Sequence, residues 1–354
     1  MRLHLRAAVF VALLFSPVWN ACARETPIQE HDNRTEILFL GTSPGPPLHV
    51  DRSKSATLLI VDGREYLFDC GIGTINRMVE AGIDSDHIKT IFLTHLHADH
   101  DMGLSDVMAN DFFRAQGAPD RVDIYGPPGT RKLVDYAFRY VSIGFEPFAA
   151  ESWPFRVPEV NGAFPNPFSP HEFGGDGVVF QDDKIRVVAA ENSHYALMPA
   201  RYRQRLKSYA FRVETPHGVI VFTGDTGPSN AVVRLAQGAD VLVSEATYRD
   251  PDALGKFVNS QALRLHWSPD QTAKFRINFE SQHLDTEEVG EIASKAGVGA
   301  VLLYHYSPAS KADETAYVAG VHSHFRGPVF APDDLNRFCL KRNSSEAAAA
   351  VQLC

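Results

Sequence analysis

The sequence lacks long hydrophobic runs and lacks an excess of positive charge. No apolar stretch reaches the roughly 20 residues that a membrane-spanning helix needs, so no transmembrane span is predicted. Acidic residues outnumber lysine and arginine by 43 to 34, which gives a formal net charge of −9 and argues against a general nucleic-acid-binding protein. Internal repeats are also missing. Hydrophobic residues make up 44% of the 354 residues, so a sizeable core is expected and a disordered chain is not.

Cysteine is scarce, with four residues in the whole chain. Cys22 lies near the N-terminus, and Cys70 follows Asp69 in an apolar strand, which is typical of buried packing. Cys339 and Cys354 lie near the C-terminus. They are compatible either with one disulfide in an oxidising compartment or with two free thiols.

Residues 1–23 have the pattern of a secretory signal peptide. Two arginines precede the apolar run Ala7–Val18, and Ala21–Ala23 is a small-residue cleavage site. Lipid attachment at Cys22 is a minor alternative, because Trp19 stands where a lipoprotein signal usually has leucine. The protein is therefore expected to be exported, periplasmic or secreted. Cleavage removes two arginines and no acidic residue, which makes the charge about −11.

One large α/β domain is predicted over residues 35–340, between a polar arm at 24–34 and a frayed tail at 341–354. Within it, residues 143–182 are rich in proline, glycine and phenylalanine and show no helix or strand period. Long irregular segments in compact domains are usually functional or surface insertions. We interpret 143–182 as an insertion that walls the mouth of the active site, or else as a packing flap without substrate contact.

Hydrophobic periodicity and turn signals predict alternating strands and helices in this domain. Strands are predicted at Glu36–Leu40, Ala56–Val61, Glu65–Asp69, Ile91–Leu93, Arg121–Tyr125, Ile185–Ala190, Tyr209–Val213, Val219–Thr223, Val241–Ser244 and Ala300–Tyr304. Helices are predicted at Ile72–Ala81, Leu104–Gln116, Thr130–Val141, from Ser229 to Gly238, and at Glu287–Ala296. Asp285 and Glu288 form a capping box for the last of these helices, and Gly297 closes it.

The stretch THLHADHD, at Thr94–Asp101, is the most informative in the chain, since it directly follows a predicted buried strand. Neutral imidazoles and ionised carboxylates suit zinc and similar divalent metals. His95 and His97 point the same way on an extended backbone. Asp99 and His100 follow as the chain turns, so they can face a second ion. Three further polar residues, His194, Asp225 and His305, each come just past a predicted strand and can converge on the same place.

The hexapeptide HLHADH resembles the first metal motif, HxHxDH, of the metallo-β-lactamase superfamily. In chain order, LFLGTSP, LFDCGIGT, THLHADHDMGL, FTGDTGPS, SEATY, HLDTEEVGEIA and LLYHYSP resemble the ribonuclease Z branch, over residues from about 36 to 332. This resemblance implies a four-layer αββα sandwich with the metals at one edge of its two sheets. It implies that the first zinc is held by His95, His97 and His194, the second by Asp99, His100 and His305, and that Asp225 bridges both. Mn²⁺ or Fe²⁺ are alternative metals.

Two divalent ions a few ångströms apart would lower the pKa of a shared water and leave a hydroxide, so no protein nucleophile is needed. Asp99 is placed among the catalytic residues as well as the ligands. The resemblance also implies that His283, paired with Glu245, protonates the leaving group, because a carboxylate behind an imidazole favours its protonated form. A structural cap for the following helix is the alternative role of His283.

A basic row follows His194. If this segment is extended, its odd-numbered cations share one side and could hold an anionic group; they are Arg201, Arg203, Arg205 and Lys207. A solvated basic loop is the alternative interpretation.

These observations predict an exported dinuclear zinc hydrolase that acts on a phosphodiester. The alternative is a lactone or β-lactam hydrolase, since the same hydroxide attacks a carbonyl. A binding protein without turnover would require a lost ligand, and none is missing. The expected partner is a small anionic or ring substrate, with a homodimer left open. Transfer RNA is not expected, because the leader directs the protein away from cytosolic RNA and no long RNA-gripping arm is evident.

Overall fold

The computed structural model describes residues 33–45, 48–114, 121–151, 166–247, 251–307, 314–341 and 350–354. The predicted leader and almost all of the predicted arm lie outside this part of the chain, and so does most of the predicted tail. Export therefore stays a prediction. Among the described residues no helix is long and apolar enough to cross a membrane.

The strands and helices alternate along most of the chain. The strands are β1 Thr35–Gly41, β2 Ala56–Val61, β3 Arg64–Phe68, β4 Thr90–Phe92, β5 Val122–Gly126, β6 Phe168–Glu172, β7 Gly177–Gln181, β8 Arg186–Glu191, β9 Tyr209–Thr215, β10 Gly218–Phe222, β11 Val241–Thr247, β12 Ala300–Ser307, β13 Val329–Phe330, β14 Arg337–Lys341 and β15 Ala350–Leu353. The helices are α1 Thr74–Glu80, α2 Ala98–Asp101, α3 Leu104–Arg114, α4 Thr130–Ala150, α5 Ala200–Arg203, α6 Asn230–Leu235, α7 Pro251–Leu265, α8 Pro269–Gln282, α9 Thr286–Ala296 and α10 Glu314–His322.

Two mixed sheets make the framework. One has the order β15-β14-β1-β2-β3-β4-β5-β6, and the other has the order β13-β12-β11-β10-β9-β8-β7. Strands β3 to β6 run parallel to one another, as do β10 to β13. Because parallel strands end at the same edge, each sheet presents a row of carboxyl ends, which is where side chains from distant segments can meet.

Both faces of each sheet are buried, which produces four layers. Along β1, Ile37 and Phe39 enter a core that the two sheets share. The alternate residues Leu38 and Leu40 enter a second core with α1, α3 and α4. A third core packs the other sheet against α6, α9 and α10. This alternation buries successive side chains on opposite faces and confirms the predicted αββα sandwich.

Local capping signals are realised as predicted. Ser229 accepts a hydrogen bond from Val232 at the start of α6. Asp285 and Glu288 form a complete capping box at the start of α9, and Gly297 closes that helix with a φ of 64°. These caps depend on contacts within four residues, and for that reason the sequence predicts them well.

The segment 143–182 differs from its prediction. Helix α4 continues to Ala150, and β6 and β7 form the outer strands of the two sheets. The prediction that this segment lacks regular structure is wrong for these residues, because β6 is specified by pairing with β5, 46 residues away at Val122↔Phe168, rather than by a local period. Residues 152–165 lie outside the described chain, so the role of an insertion at the site mouth stays a prediction.

The helices α7 and α8 were not predicted from the sequence, although Ser268 and Gln271 form a capping box with Pro269 at the first helical position. At the other end of the chain, Cys339 and Cys354 form a disulfide between β14 and the C-terminus. The disulfide alternative is therefore the one that the structure adopts.

Glu65 on β3 supplies a test of core electrostatics. Its side chain is buried, and burial, with the nearby charge of Asp84, raises its pKa to about 7. Folding therefore favours the protonated acid. Ionisation of Glu65 does not destabilise the folded state below the pKa that this group has in the unfolded chain. Above that pKa the destabilisation grows with pH, and it levels off once pH exceeds about 7. We expect Glu65→Gln to raise the free energy of unfolding at pH 8 by about 3 kcal/mol and to change it little near pH 5. Urea unfolding at both pH values measures this, and a wild type as stable as the variant at pH 8 would contradict it.

Candidate metal centre

The two rows of strand ends meet at one edge of the sandwich. His95 follows β4, His194 follows β8, Asp225 follows β10, and His305 lies near the end of β12. A backbone hydrogen bond of 3.0 Å from Tyr209 to Thr94 joins the two sheets at this edge. The strand order within each sheet and the contact between the two sheets therefore bring together residues that are up to 210 positions apart.

The first cluster contains His95, His97, His194 and Asp225. His194 Nε2 lies 3.2 Å from His97 Nδ1, and His95 Nε2 lies 3.9 Å from an oxygen of Asp225. His95 and His97 project together from the extended chain, as predicted. Their ligand atoms, with those of the other two residues, lie within 4.8 Å of one another.

The second cluster contains Asp99, His100, Asp225 and His305. His100 Nε2 lies 3.2 Å from Asp225 Oδ1, and His305 Nε2 lies 3.3 Å from both Asp99 Oδ2 and Asp225 Oδ2. Asp99 and His100 reach this position because helix α2 begins immediately after His97. All seven predicted ligands thus meet, with Asp225 common to both clusters.

These clusters have the chemistry and spacing of metal sites. Ligands about 2.0–2.1 Å from a tetrahedral zinc lie about 3.3 Å from each other, close to several of the separations above. His95 Nε2 is buried without a hydrogen-bond partner among the described residues, which is costly unless something else binds it. Burial lowers the pKa of His194 to about 3, so its imidazole is neutral. Burial alone would raise the pKa of Asp225, but His305 and His100 hold it well below its usual value.

Outer partners orient the imidazoles. Asp69, at the end of β3, lies 2.8 Å from His100 Nδ1 and accepts hydrogen bonds from Thr94. The carbonyl of Gln282 lies 3.0 Å from His194 Nδ1. Such contacts select the tautomer that leaves the other nitrogen free for a metal. Sequence reasoning missed Asp69, although an aspartate directly after a buried strand was a visible signal.

His305 reaches the site through a bulge. Glu245 pairs with Tyr304, and Ala246 pairs with Tyr306, so His305 is the extra residue of β12. Its φ of 54° is in the left-handed region, an uncommon conformation for a residue other than glycine. Bulges re-aim side chains next to active sites, and this one directs the imidazole at the carboxylates of Asp99 and Asp225.

His283 and Glu245 form a close pair beside the two clusters. Glu245 Oε2 lies 2.6 Å from His283 Nδ1, and the backbone of Thr226 donates to the other carboxylate oxygen of Glu245. Burial alone would lower the pKa of His283, but the charge of Glu245 and its hydrogen bond raise it. The pair forms because the backbone N–H of Thr247 donates a hydrogen bond to the carbonyl of Leu284. This bond aligns the chain after α8 with the end of β11.

The same pair, with Asp225 and His305, is a third group of potential ligands. The 2.6 Å contact between His283 Nδ1 and Glu245 instead fits a hydrogen bond. The ring of Phe279 in α8 packs 5.3 Å from that of His283, so this unpredicted helix contributes one wall beside it. His283 is also the residue that ends α8, but its own side chain caps no described helix.

The basic residues after His194 do not form the predicted extended row. Ala200–Arg203 is a helical turn that Pro199 begins. The backbone N–H groups of the residues at 202 and 203 donate hydrogen bonds to the carbonyl of Pro199. Arg201 and Arg205 lie over the ring of Tyr202, and Lys207 is bound to Glu191 at 2.7 Å. The prediction that these cations share one side of an extended segment is therefore wrong. A substrate role for them stays a prediction.

A different catalytic arrangement is also visible in the sequence. Gly41-Thr42-Ser43-Pro44-Gly45 has the Gly-x-Ser-x-Gly spacing of a nucleophile elbow. That motif requires a strand followed at once by a helix, whereas the next described helix begins at Thr74. Ser43 Oγ donates to the carbonyl of Pro44 at 3.3 Å, and its remaining described contact is with Lys54 Nζ. Lys54 Nζ donates to Ser43 Oγ and to the carbonyl of Pro44, so it acts as a donor to this hydroxyl and not as a base that would activate it.

Comparisons with known proteins agree with this geometry. The family described as a beta-lactamase superfamily domain matches residues 64–306. Ribonuclease Z from Mycobacterium marinum is 31% identical over 309 residues, which cover 85% of this chain and 97% of that protein. The short form of human tRNase Z has a TM-score of 0.57 and 21% identity, covering 85% of this chain and 98% of its own. A diphosphatase from the PhnP family has a TM-score of 0.55 and 17% identity, covering 87% of this chain and 99% of its own.

The expectation that transfer RNA is not a substrate is wrong in the light of these relatives. Proteins that share nearly their whole length with this chain carry the name ribonuclease Z, and one structural neighbour is a tRNase Z. A net charge averages over the whole surface and does not describe the field at one site. The match over residues 64–306, the sandwich fold and the ribonuclease Z relatives together show that the chain belongs to the metallo-β-lactamase superfamily of hydrolases, in its ribonuclease Z-like branch.

Proposed function

We propose that the protein is a dinuclear zinc phosphodiesterase with RNA as its substrate class, and that the predicted leader exports it. The observation that carries this proposal is the His283–Glu245 pair next to the seven candidate ligands. In this pair His283 Nδ1 lies 2.6 Å from Glu245 Oε2. The alkoxide that leaves a phosphodiester is a poor leaving group and needs a proton, which a carboxylate-backed imidazole can supply.

Seven residues would hold the two metal ions. His95, His97 and His194 would hold one ion, Asp99, His100 and His305 the other, and Asp225 would bind both. Ions bound there would lower the pKa of a water towards neutrality and offset charge that develops on the phosphate.

Glu245 orients the proton donor. It accepts from His283 Nδ1 and is itself held by the backbone of Thr226. With Nδ1 bonded to the carboxylate, Nε2 of His283 would protonate the departing oxygen. Glu245 is thus a positioning residue, since it acts through the imidazole.

A hydrolysis panel on zinc-loaded protein tests this function. We expect turnover of bis(4-nitrophenyl) phosphate and cleavage of a precursor transfer RNA transcript, because both contain a phosphodiester. A lactone and a chromogenic cephalosporin provide the matched ring ester and ring amide. Turnover of the cephalosporin or the lactone without either phosphodiester would contradict the proposal and favour the ring hydrolase instead.

A further inference from the structure

A small cavity of about 120 Å³ opens directly beside His97. Its walls are mainly apolar and come from three separate parts of the chain; they are Leu96, Pro128, Tyr195, Met198 and Leu206. We call this cavity the ring pocket. Because Leu96 lies between two of the candidate metal ligands, a group bound in the pocket would touch the metal centre.

The walls of the ring pocket are held in place. Tyr195 is 8% exposed, and its ring lies 5.3 Å from that of His97 and 4.9 Å from that of His194. The backbone of Met198 donates to the carbonyl of Tyr195, and that of Leu206 donates to Tyr202. A pocket whose walls are fixed before binding loses little freedom when a ligand enters.

Size and polarity define the ligand. An enclosed apolar cavity of about 150 Å³ in another protein holds benzene, so this open pocket of about 120 Å³ is close in size to a single six-membered ring. Lys207 borders the pocket, but Glu191 binds its ammonium group at 2.7 and 2.9 Å. The pocket therefore offers apolar and aromatic contact rather than an uncommitted cation, which favours a planar ring over a phosphate.

The ring pocket and the proton donor are separate, because His283 is not among the residues that line the pocket. The ring of His194 is 5.0 Å from that of His97, which borders the pocket, and 5.1 Å from that of His283. The departing oxygen belongs beside His283. Resting on the phosphodiesterase function proposed above, we infer that the ring pocket binds a single planar ring on the ester arm that stays attached to phosphorus, such as one pyrimidine-sized base.

Two diesters with the same leaving group test this assignment. Phenyl 4-nitrophenyl phosphate and methyl 4-nitrophenyl phosphate both release nitrophenolate and differ only in the retained arm. We expect zinc-loaded wild type to show a kcat/KM about tenfold or more higher for the phenyl ester, the scale on which an apolar pocket discriminates. Met198→Trp should fill the pocket and bring this ratio close to one.

The matched control is Leu197→Trp, which places the same ring on the exposed neighbouring residue and should keep the wild-type ratio. Leu206→Phe provides a second pocket-filling variant if Met198→Trp does not fold, as judged by circular dichroism. Turnover of both esters with a wild-type ratio near one, or an unchanged ratio in both filled variants, would overturn the assignment.

Binding separates this inference from the proposed function. Titration calorimetry should show phenyl phosphate binding wild type at least about tenfold more tightly than methyl phosphate, with the difference lost in Met198→Trp. If neither diester is hydrolysed but this binding difference is present, the phosphodiesterase function fails and the ring pocket stands. If the diesters are hydrolysed and the binding difference is missing, the pocket assignment fails alone.

Discussion

Replacing Asp225 by alanine is expected to remove much of the bound metal and to abolish hydrolysis. Its two carboxylate oxygens lie 3.2 Å from His100 Nε2 and 3.3 Å from His305 Nε2, and it belongs to both ligand clusters. Without it, two like-charged ions would lie close together with less negative charge between them. Loss of a direct ligand should weaken metal affinity by more than the roughly 10- to 100-fold that loss of an outer partner costs.

Equilibrium dialysis against zinc, followed by elemental analysis, measures this effect. Wild type should bind about two ions per chain, and Asp225→Ala should lose at least one. Asp176→Ala is a suitable control, because that carboxylate accepts a hydrogen bond from the backbone of Glu191 outside both clusters. A full complement of metal in Asp225→Ala would reject a bridging role for this residue.

Replacing His283 by alanine should slow hydrolysis in a way that depends on the leaving group. A general acid contributes roughly a hundredfold to ten-thousandfold. Esters that release an alkoxide need the proton and should lose about that much, whereas nitrophenolate leaves without help and should lose least. Glu245→Gln should give a weaker version of the same pattern, since the amide oxygen can still accept from the backbone of Thr226 while the charge behind His283 is gone.

The metal content of His283→Ala decides between the two roles that the structure allows for this residue. As a proton donor it leaves both ions bound, whereas as a ligand in the third cluster it would take an ion with it. His217→Ala is the matched control, because His217 is bonded to Asp62 beyond the opposite end of β10. Equal losses on both leaving-group types, or lost metal, would show that His283 is not the general acid.

The seven candidate ligands were predictable because their signals are local. His95 and His97 share an extended chain, Asp99 and His100 share the following turn, and each remaining ligand comes at or near the end of an apolar strand. Where strands of a sheet run in the same direction, such positions fall at one edge. Local pattern and resemblance to a family therefore agreed on the same residues before any distance was known.

The less successful predictions failed for three different physical reasons. The row of cations from Arg201 to Lys207 required an extended segment, but a turn beginning after Pro199 bends it. Strand β6 has no clear period of its own and is specified by its partner β5. Helix α8 has no buried residue, so it lacks the apolar stripe that makes a helix visible in sequence.

By itself, the sequence determined the superfamily, the layered α/β fold, the caps of its helices and the identity of the groups that can bind metal. The superfamily and the fold follow from resemblance to a known family, whereas the helix caps and the metal-binding groups follow from residue type and from spacing over a few positions. The tertiary structure decided that Asp69 supports His100 and that His305 enters through a bulge. It also decided the position and size of the ring pocket. The positions of Asp69 and His305 depend on the register between strands far apart in the chain, which no local pattern specifies, and the ring pocket depends on loops from three separate parts of the chain.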